Sequence, residues 1–330
     1  MDLRDVITRE PRRLAWNGIE FLTPWNWELG LYKFLRKGVT RIEVEDEYAV
    51  RIEAEWIRSA RRAIKPAVIL ERYKEATDKF ARKAHETVAV QGLPPGWTAT
   101  LAIMRDAAPS GKKGGPAVTS SKHICAIYIC PRSEILFFVL LHFMPEDREN
   151  PEEVLRLVAG SFRHHADAPL VPWQMFDIAF ELPREFALSS ASVDVGAKQM
   201  LFRWKARRFY LWHFSCADIF LKDGVVMEEW VTGYLNGYSG IRGIVFMPGG
   251  DGVIRWRRRR RHLFGHRDEI AHWCFKYRIH CRLDKEKNQL VAWVFNYRKD
   301  DDLRLIALLE GQAMPRPLFT DSFTAGRTGS

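Results

Sequence analysis

Two His-X-Cys motifs offer the most specific chemistry in the spacing of this chain. His123-Ile124-Cys125 and His272-Trp273-Cys274 each set an imidazole and a thiol two residues apart. On a β-strand, residues i and i+2 share a face, so each motif could turn two ligands to one side. Brought together, the pairs would make a Cys2His2 set, the donor combination suited to tetrahedral zinc. His262 and His266 stand close by in sequence. Against that reading, the chain has no Cys-X2-Cys knuckle, and strand cysteines commonly serve as small buried hydrophobes. The expectation is therefore no metal and no cofactor, with His123, Cys125, His272 and Cys274 as packing residues inherited from a common ancestor.

The second candidate is basic. Arg255-Trp256-Arg257-Arg258-Arg259-Arg260-Arg261 holds six arginines in seven positions, and Lys112 and Lys113 occupy the corresponding loop of the first half. Guanidinium groups bind phosphate bidentately, and an adjacent indole can stack on an unpaired base. Such a run can also dock an acidic protein, or blunt the edge of a sheet against aggregation. The net charge of +10 on 330 residues is locally concentrated here, and concentration says more about partners than the total does.

Weaker candidates are soon exhausted. Ser161 lies near His164 and His165, and Ser215 near His213 and Cys216, but no Gly-X-Ser-X-Gly elbow is present. Gly111-Lys-Lys-Gly-Gly115 and Gly249-Gly-Asp-Gly252 lack the phosphate-loop and dinucleotide patterns and read as hairpin loops. Glu45-Asp46-Glu47 reads as a solvated turn tip.

These residues sit in what reads as one unit written twice. His123-X-Cys125 and His272-X-Cys274 open matching stretches, each with a second cysteine (Cys130, Cys281), and Leu155-Arg-Leu-Val-Ala159 matches Leu303-Arg-Leu-Ile-Ala307. Upstream, Trp16-Asn-Gly-Ile-Glu-Phe21 leads to Pro24 as Met175-Phe-Asp-Ile-Ala-Phe180 leads to Pro183. The matches keep their order along the chain, as a duplication requires. The halves are expected at 1–165 and 166–330, with 166–172 as linker and a disordered tail from about residue 315.

Within each half, strands outnumber helices. Residues 16–22 read as one strand. In 48–57, Tyr48, Val50, Ile52, Ala54 and Trp56 share a face while Arg51, Glu53 and Glu55 turn to water. A helix is expected from Pro66 to about Val90, with Ile69, Tyr73, Ala76, Phe80 and Ala84 as its apolar stripe. Asn150-Pro151-Glu152-Glu153 reads as a capped helix start, and 301–309 as a closing helix. The fold class is α+β: two tandem units, each a mainly antiparallel sheet with packed helices. The aromatic strand and proline of Ile19-Glu-Phe-Leu-Thr-Pro24-Trp25, the meander and the long helix resemble the PsbP-like fold, which implies topology and no single activity.

Composition excludes a helical membrane protein: 47% of residues are hydrophobic and 28% charged, with no run near the roughly 18 apolar residues of a span. The opening Met1-Asp-Leu-Arg-Asp has no apolar signal core, and five cysteines make no secreted disulfide framework, so a reducing cytoplasm is expected. The functional expectation is a binding or scaffold protein without catalysis, its arginine-rich edge meeting nucleic acid or an acidic protein partner. The alternative is a metal-dependent enzyme, or a zinc-stabilised module, built on the His-X-Cys strands.

Overall fold

The computed structural model describes residues 10–34, 39–57, 67–104, 120–130, 135–165, 167–175, 178–194, 196–241, 243–250, 252–258, 275–297 and 305. The chain forms two compact units, Met1–Asp177 and Ile178–Ser330.

The first unit begins with a hairpin of β1 (Arg12–Trp16) and β2 (Ile19–Thr23). Residues 16–22 were expected as one strand. Instead Asn17 and Gly18 both take positive φ, 47° and 90°, and reverse the chain. Asn-Gly is the pair that a two-residue hairpin turn favours, because both central residues need φ > 0.

Next come β3 (Glu28–Phe34), β4 (Val39–Glu45), β5 (Val50–Ile57) and helix α1 (Ala67–Lys83). The helix stops short of the expected Val90. Residues after Lys83 form β6 (Ala84–Ala89), whose Thr87 and Val88 pair with Ala102 and Leu101. β-Branched side chains suit a pleated strand better than a helix, and the pairing decides the matter. Then follow β7 (Trp97–Met104), β8 (Lys122–Ile129), β9 (Leu136–Phe143), α2 (Pro151–Ser161), β10 (Arg163–His164) and β11 (Leu170–Met175). The start of α2 is as expected: Pro151 lies in the first turn and the Asn150 side chain accepts from the Glu152 N–H.

Strands β3 to β9 form a seven-stranded antiparallel sheet in the order β3-β4-β5-β9-β8-β7-β6. One face carries Cys125, Ile127, Phe138 and Leu140 against Tyr73, Ala76 and Phe80 of α1. On the other face Phe137 is fully buried and stacks on Phe162, just beyond α2, at 4.6 Å. A strand covered on both sides must be apolar throughout, and Leu136–Phe143 is so except at His142.

In a smaller sheet β10 pairs with β2, β2 with β1, and β1 with β11 through Ala15 and Gln174. This last pairing explains the unit boundary. Residues 166–172 were expected as a linker, but Leu170–Met175 joins the first unit's sheet, so the division falls at Asp177 instead of residue 165.

The second unit has β12 (Ile178–Pro183), β13 (Ala187–Asp194), β14 (Ala197–Trp204), β15 (Arg207–Ser215), a short helix α3 (Ala217–Phe220), α4 (Met227–Gly237), β16 (Ile244–Gly250), β17 (Val253–Arg258), β18 (Lys276–Asp284) and β19 (Gln289–Tyr297). Its sheet order is β13-β14-β15-β19-β18-β17-β16, strand for strand the order of the first unit, with the long helix entering after the third strand in both. Shared topology is the visible part of the duplication. The expected closing helix at 301–309 and the tail from 315 lie outside the described residues, apart from helical Leu305. Among the described residues no helix is long and apolar enough to cross a membrane.

Candidate functional site

The arginine run enters the sheet as β17, whose register decides which side chains can act together. Ile254 is buried and Trp256 packs beside it in the core under α4, its ring meeting Tyr277 edge-on at 5.2 Å. Period two then places Val253, Arg255 and Arg257 on the opposite face, where both arginines are exposed. Val253 pairs with His280 of β18, so the same face receives Lys276, Arg278 and Arg282. Across β16, Arg255 faces Met247 and Arg257 faces Val245. The result is a five-cation surface on two strands, with Asp284 at its end.

Three expectations change here. The arginine strand is not at the sheet edge: among the described strands β16 is outermost, and β17 lies one position in. Trp256, expected to stack on a base beside the arginines, faces the other way into the core. Lys276, Arg278 and Arg282 were not foreseen; the signal was their alternation with Tyr277, Ile279, Cys281 and Leu283, legible once the strand is placed. Arg258 belongs to β17, whereas Arg259, Arg260, Arg261, Lys112 and Lys113 lie outside the described residues.

Of the four zinc candidates, His123 and Cys125 lie on β8, and His272 and Cys274 are outside the described residues. The His123 and His142 Nδ1 atoms are 3.0 Å apart, and His142 Nε2 lies 3.1 Å from Glu53 Oε1. Arg41 Nη2 completes the chain, 2.5 Å from Glu53 Oε2. The hydrogen bond from His142 and, against burial, the Arg41 charge hold the Glu53 carboxyl below its usual range. Among the described residues no three His, Cys, Asp or Glu side chains are grouped to hold one.

The two sheets each carry one buried cysteine on their fifth strand. Cys125 faces α1 from β8, the fifth strand of its sheet. In the second sheet the fifth strand is β18, from which Cys281 faces the helix, while Cys274 lies outside the described residues. Burial pushes the Cys125 thiol up to about 11 and the Cys281 thiol up to about 12. Both thiols therefore stay protonated and behave as hydrophobes. Cys130, matched to Cys281 by sequence, instead lies beyond the end of β8.

Arg51, Asp46 and Asp147 form a structural cluster of charges. Arg51 and Glu55, expected in water, are 5% and 4% exposed. Arg51 bridges Asp46 and Asp147, and Asp46 also accepts from the Tyr48 and Ala49 N–H groups at 2.8 Å, so Asp46 ties the turn while Glu45 and Glu47 stay exposed as expected. Buried charges persist when paired in this way. Ser161 Oγ accepts from the Leu22 N–H at 2.8 Å and lies 2.6 Å from the Leu157 carbonyl, a capping arrangement without a nucleophile's partner. Gly250 pairs with Val253 across the expected β16–β17 hairpin, whereas Asp251 and Gly111 to Gly115 lie outside the described residues. The contact that sequence spacing missed is between His164 Nε2 and Cys130 Sγ, 3.2 Å apart.

No family model matches this chain, and no curated protein does. It is similar to a solved structure from Bacteroides thetaiotaomicron VPI-5482, with 9% identity and a TM-score of 0.26 over 47% of this chain and 50% of that one. The match thus spans about half of either molecule, too slight a likeness to bear on function.

Proposed function

We propose that the protein is a non-catalytic binding module whose second unit presents a basic β-sheet face to nucleic acid. The observation that supports this reading is the register that gathers Arg255, Arg257, Lys276, Arg278 and Arg282 on one face of adjacent strands. Strands in an antiparallel pair lie about 5 Å apart and same-face side chains about 7 Å apart, so neighbouring cations can reach one phosphate backbone together. A surface of this kind contacts phosphate and carries little base information, so broad sequence tolerance is expected.

The test is binding of the full chain to single-stranded and duplex DNA across a salt series. Each neutralised phosphate contributes a log–log slope of about −0.9 for duplex and about −0.7 for single strands, so engagement of all five cations would give roughly −4.5 or −3.5. Replacing Arg255, Arg257 and Arg278 with glutamine should flatten the duplex slope by about two to three units. No binding to either form at low salt would reject nucleic acid, and binding to acidic protein alone would move the same face to the other class of partner.

A further inference from the structure

We propose that Cys130 and His164 form a reactive thiol–imidazole pair that takes a small electrophile, with a peroxide as its chemical class. Nothing in the arginine face bears on this pair; it belongs to the first unit and stands on its own geometry.

Both groups are fixed by backbone hydrogen bonds. The Cys130 N–H donates to the Ile135 carbonyl at 3.0 Å, closing the connection from β8 to β9. His164 is held in β10, paired with Ile19 of β2. The rings around them are close: Tyr128 lies 4.9 Å from Phe162 and 6.3 Å from His164. Within this frame His164 Nε2 is 3.2 Å from Cys130 Sγ, and the Tyr128 side chain also hydrogen bonds to Cys130. A sulfur met by an imidazole and a phenol has a proton acceptor for its S–H and two donors for the thiolate that results. That arrangement is absent at Cys125 and Cys281, whose thiols burial pushes up. Cys130 is 7% exposed, so the sulfur is not sealed from solvent.

The step balances as follows. The Cys130 S–H proton passes to His164 Nε2, giving thiolate and imidazolium. The thiolate attacks one oxygen of hydrogen peroxide, the O–O bond breaks, and hydroxide leaves. The imidazolium returns its proton to that hydroxide as water. Sulfur is oxidised to a sulfenic acid and peroxide is the oxidant reduced.

The experiment uses the full chain. The first readout is the ultraviolet absorbance of thiolate, taken as the difference between the wild type and Cys130→Ser across pH, which needs no access to the sulfur. The expected inflection for Cys130 lies clearly below the ordinary thiol value of about 8.5. His164→Gln should raise it by at least one pH unit, a tenfold loss of thiolate at neutral pH, and Tyr128→Phe should move it upward by less. The second readout is dimedone capture after hydrogen peroxide, mapped by mass spectrometry, with exposed Cys216 as the internal reference. Capture at Cys130 should exceed that at Cys216 and should fall about tenfold in His164→Gln. If His164→Gln fails to fold, the wild-type inflection and Tyr128→Phe still decide. A wild-type inflection at or above 8.5, or dimedone capture at Cys130 no greater than at Cys216, overturns the proposal.

Discussion

Replacing Trp256 with alanine separates the two faces of the arginine strand. The indole is half-buried, packs against the core under α4 and meets Tyr277 edge-on at 5.2 Å. Truncating a fully buried tryptophan costs about 3–5 kcal/mol. Half-burial scales this to roughly 2 kcal/mol, and the aromatic pair adds about 0.5–1.5 kcal/mol, so the expected loss is about 2.5–3.5 kcal/mol in the second unit. Arg255 and Arg257 point the other way, so the salt slope of DNA binding should be unchanged under conditions where the variant remains folded. Urea unfolding followed by circular dichroism gives the first quantity and fluorescence anisotropy over a salt series gives the second. Stability within about 0.5 kcal/mol of wild type, together with tenfold weaker binding to single strands, would show that Trp256 stacks on bases and that the assigned register is wrong.

Three further outcomes follow from the structure. The carboxyl of Glu20 is pushed up by burial but pulled down more strongly by His165 and Arg13, to about 2 from 4.5. A depressed folded value means stability that is present above pH 4.5 and lost as pH falls toward 2, so the urea-midpoint gap between wild type and Glu20→Gln should be open at pH 7 and close across that window; after allowance for solvent screening, a gap of about 1–3 kcal/mol is expected. Phe137, surrounded by Phe21, Trp56, Trp97 and Phe162, should cost about 3–5 kcal/mol on truncation to alanine, read as a loss of urea midpoint. Gly252→Ala should lower the thermal midpoint, because φ is +75° and a Cβ would stand 2.6 Å from the Cys281 carbonyl oxygen; the cost is about 2 kcal/mol or more.

The legible parts of this fold are those that local chemistry decides. The α2 cap, the glycine turn before β17 and the antiparallel class all follow from residues a few positions apart. What failed to be legible depends on partners remote in sequence. Thr87 and Val88 extend a helical pattern until β7 claims them, and Leu170–Met175 looks like a linker until β1 pairs with it. Arg51 alternates as a solvent-facing residue should, yet Asp147, far along the chain, draws it inward. His164 and Cys130 stand 34 residues apart, with a helix between them, and no spacing rule relates them.

The two units share a strand order but differ in what lies under the long helix. Motif matching aligned Cys125 with Cys274 because both follow a histidine by two. Cys125 and Cys281 share a strand position in their sheets and a helix-facing side, and their neighbours differ in kind. Around Cys125 the sheet face under the helix continues into His123, His142, Glu53 and Arg41, a hydrogen-bonded polar row. Around Cys281 the corresponding face is Tyr210, Trp212, Phe214, Ile279 and Ala292, apolar and aromatic. A polar row under a helix requires every member to be partnered, since a single truncation leaves a buried group unpaired. An aromatic face tolerates substitution at the cost of packing alone. In the second unit the charge lies instead on the opposite face of the sheet, where Arg255, Arg257, Lys276, Arg278 and Arg282 stand.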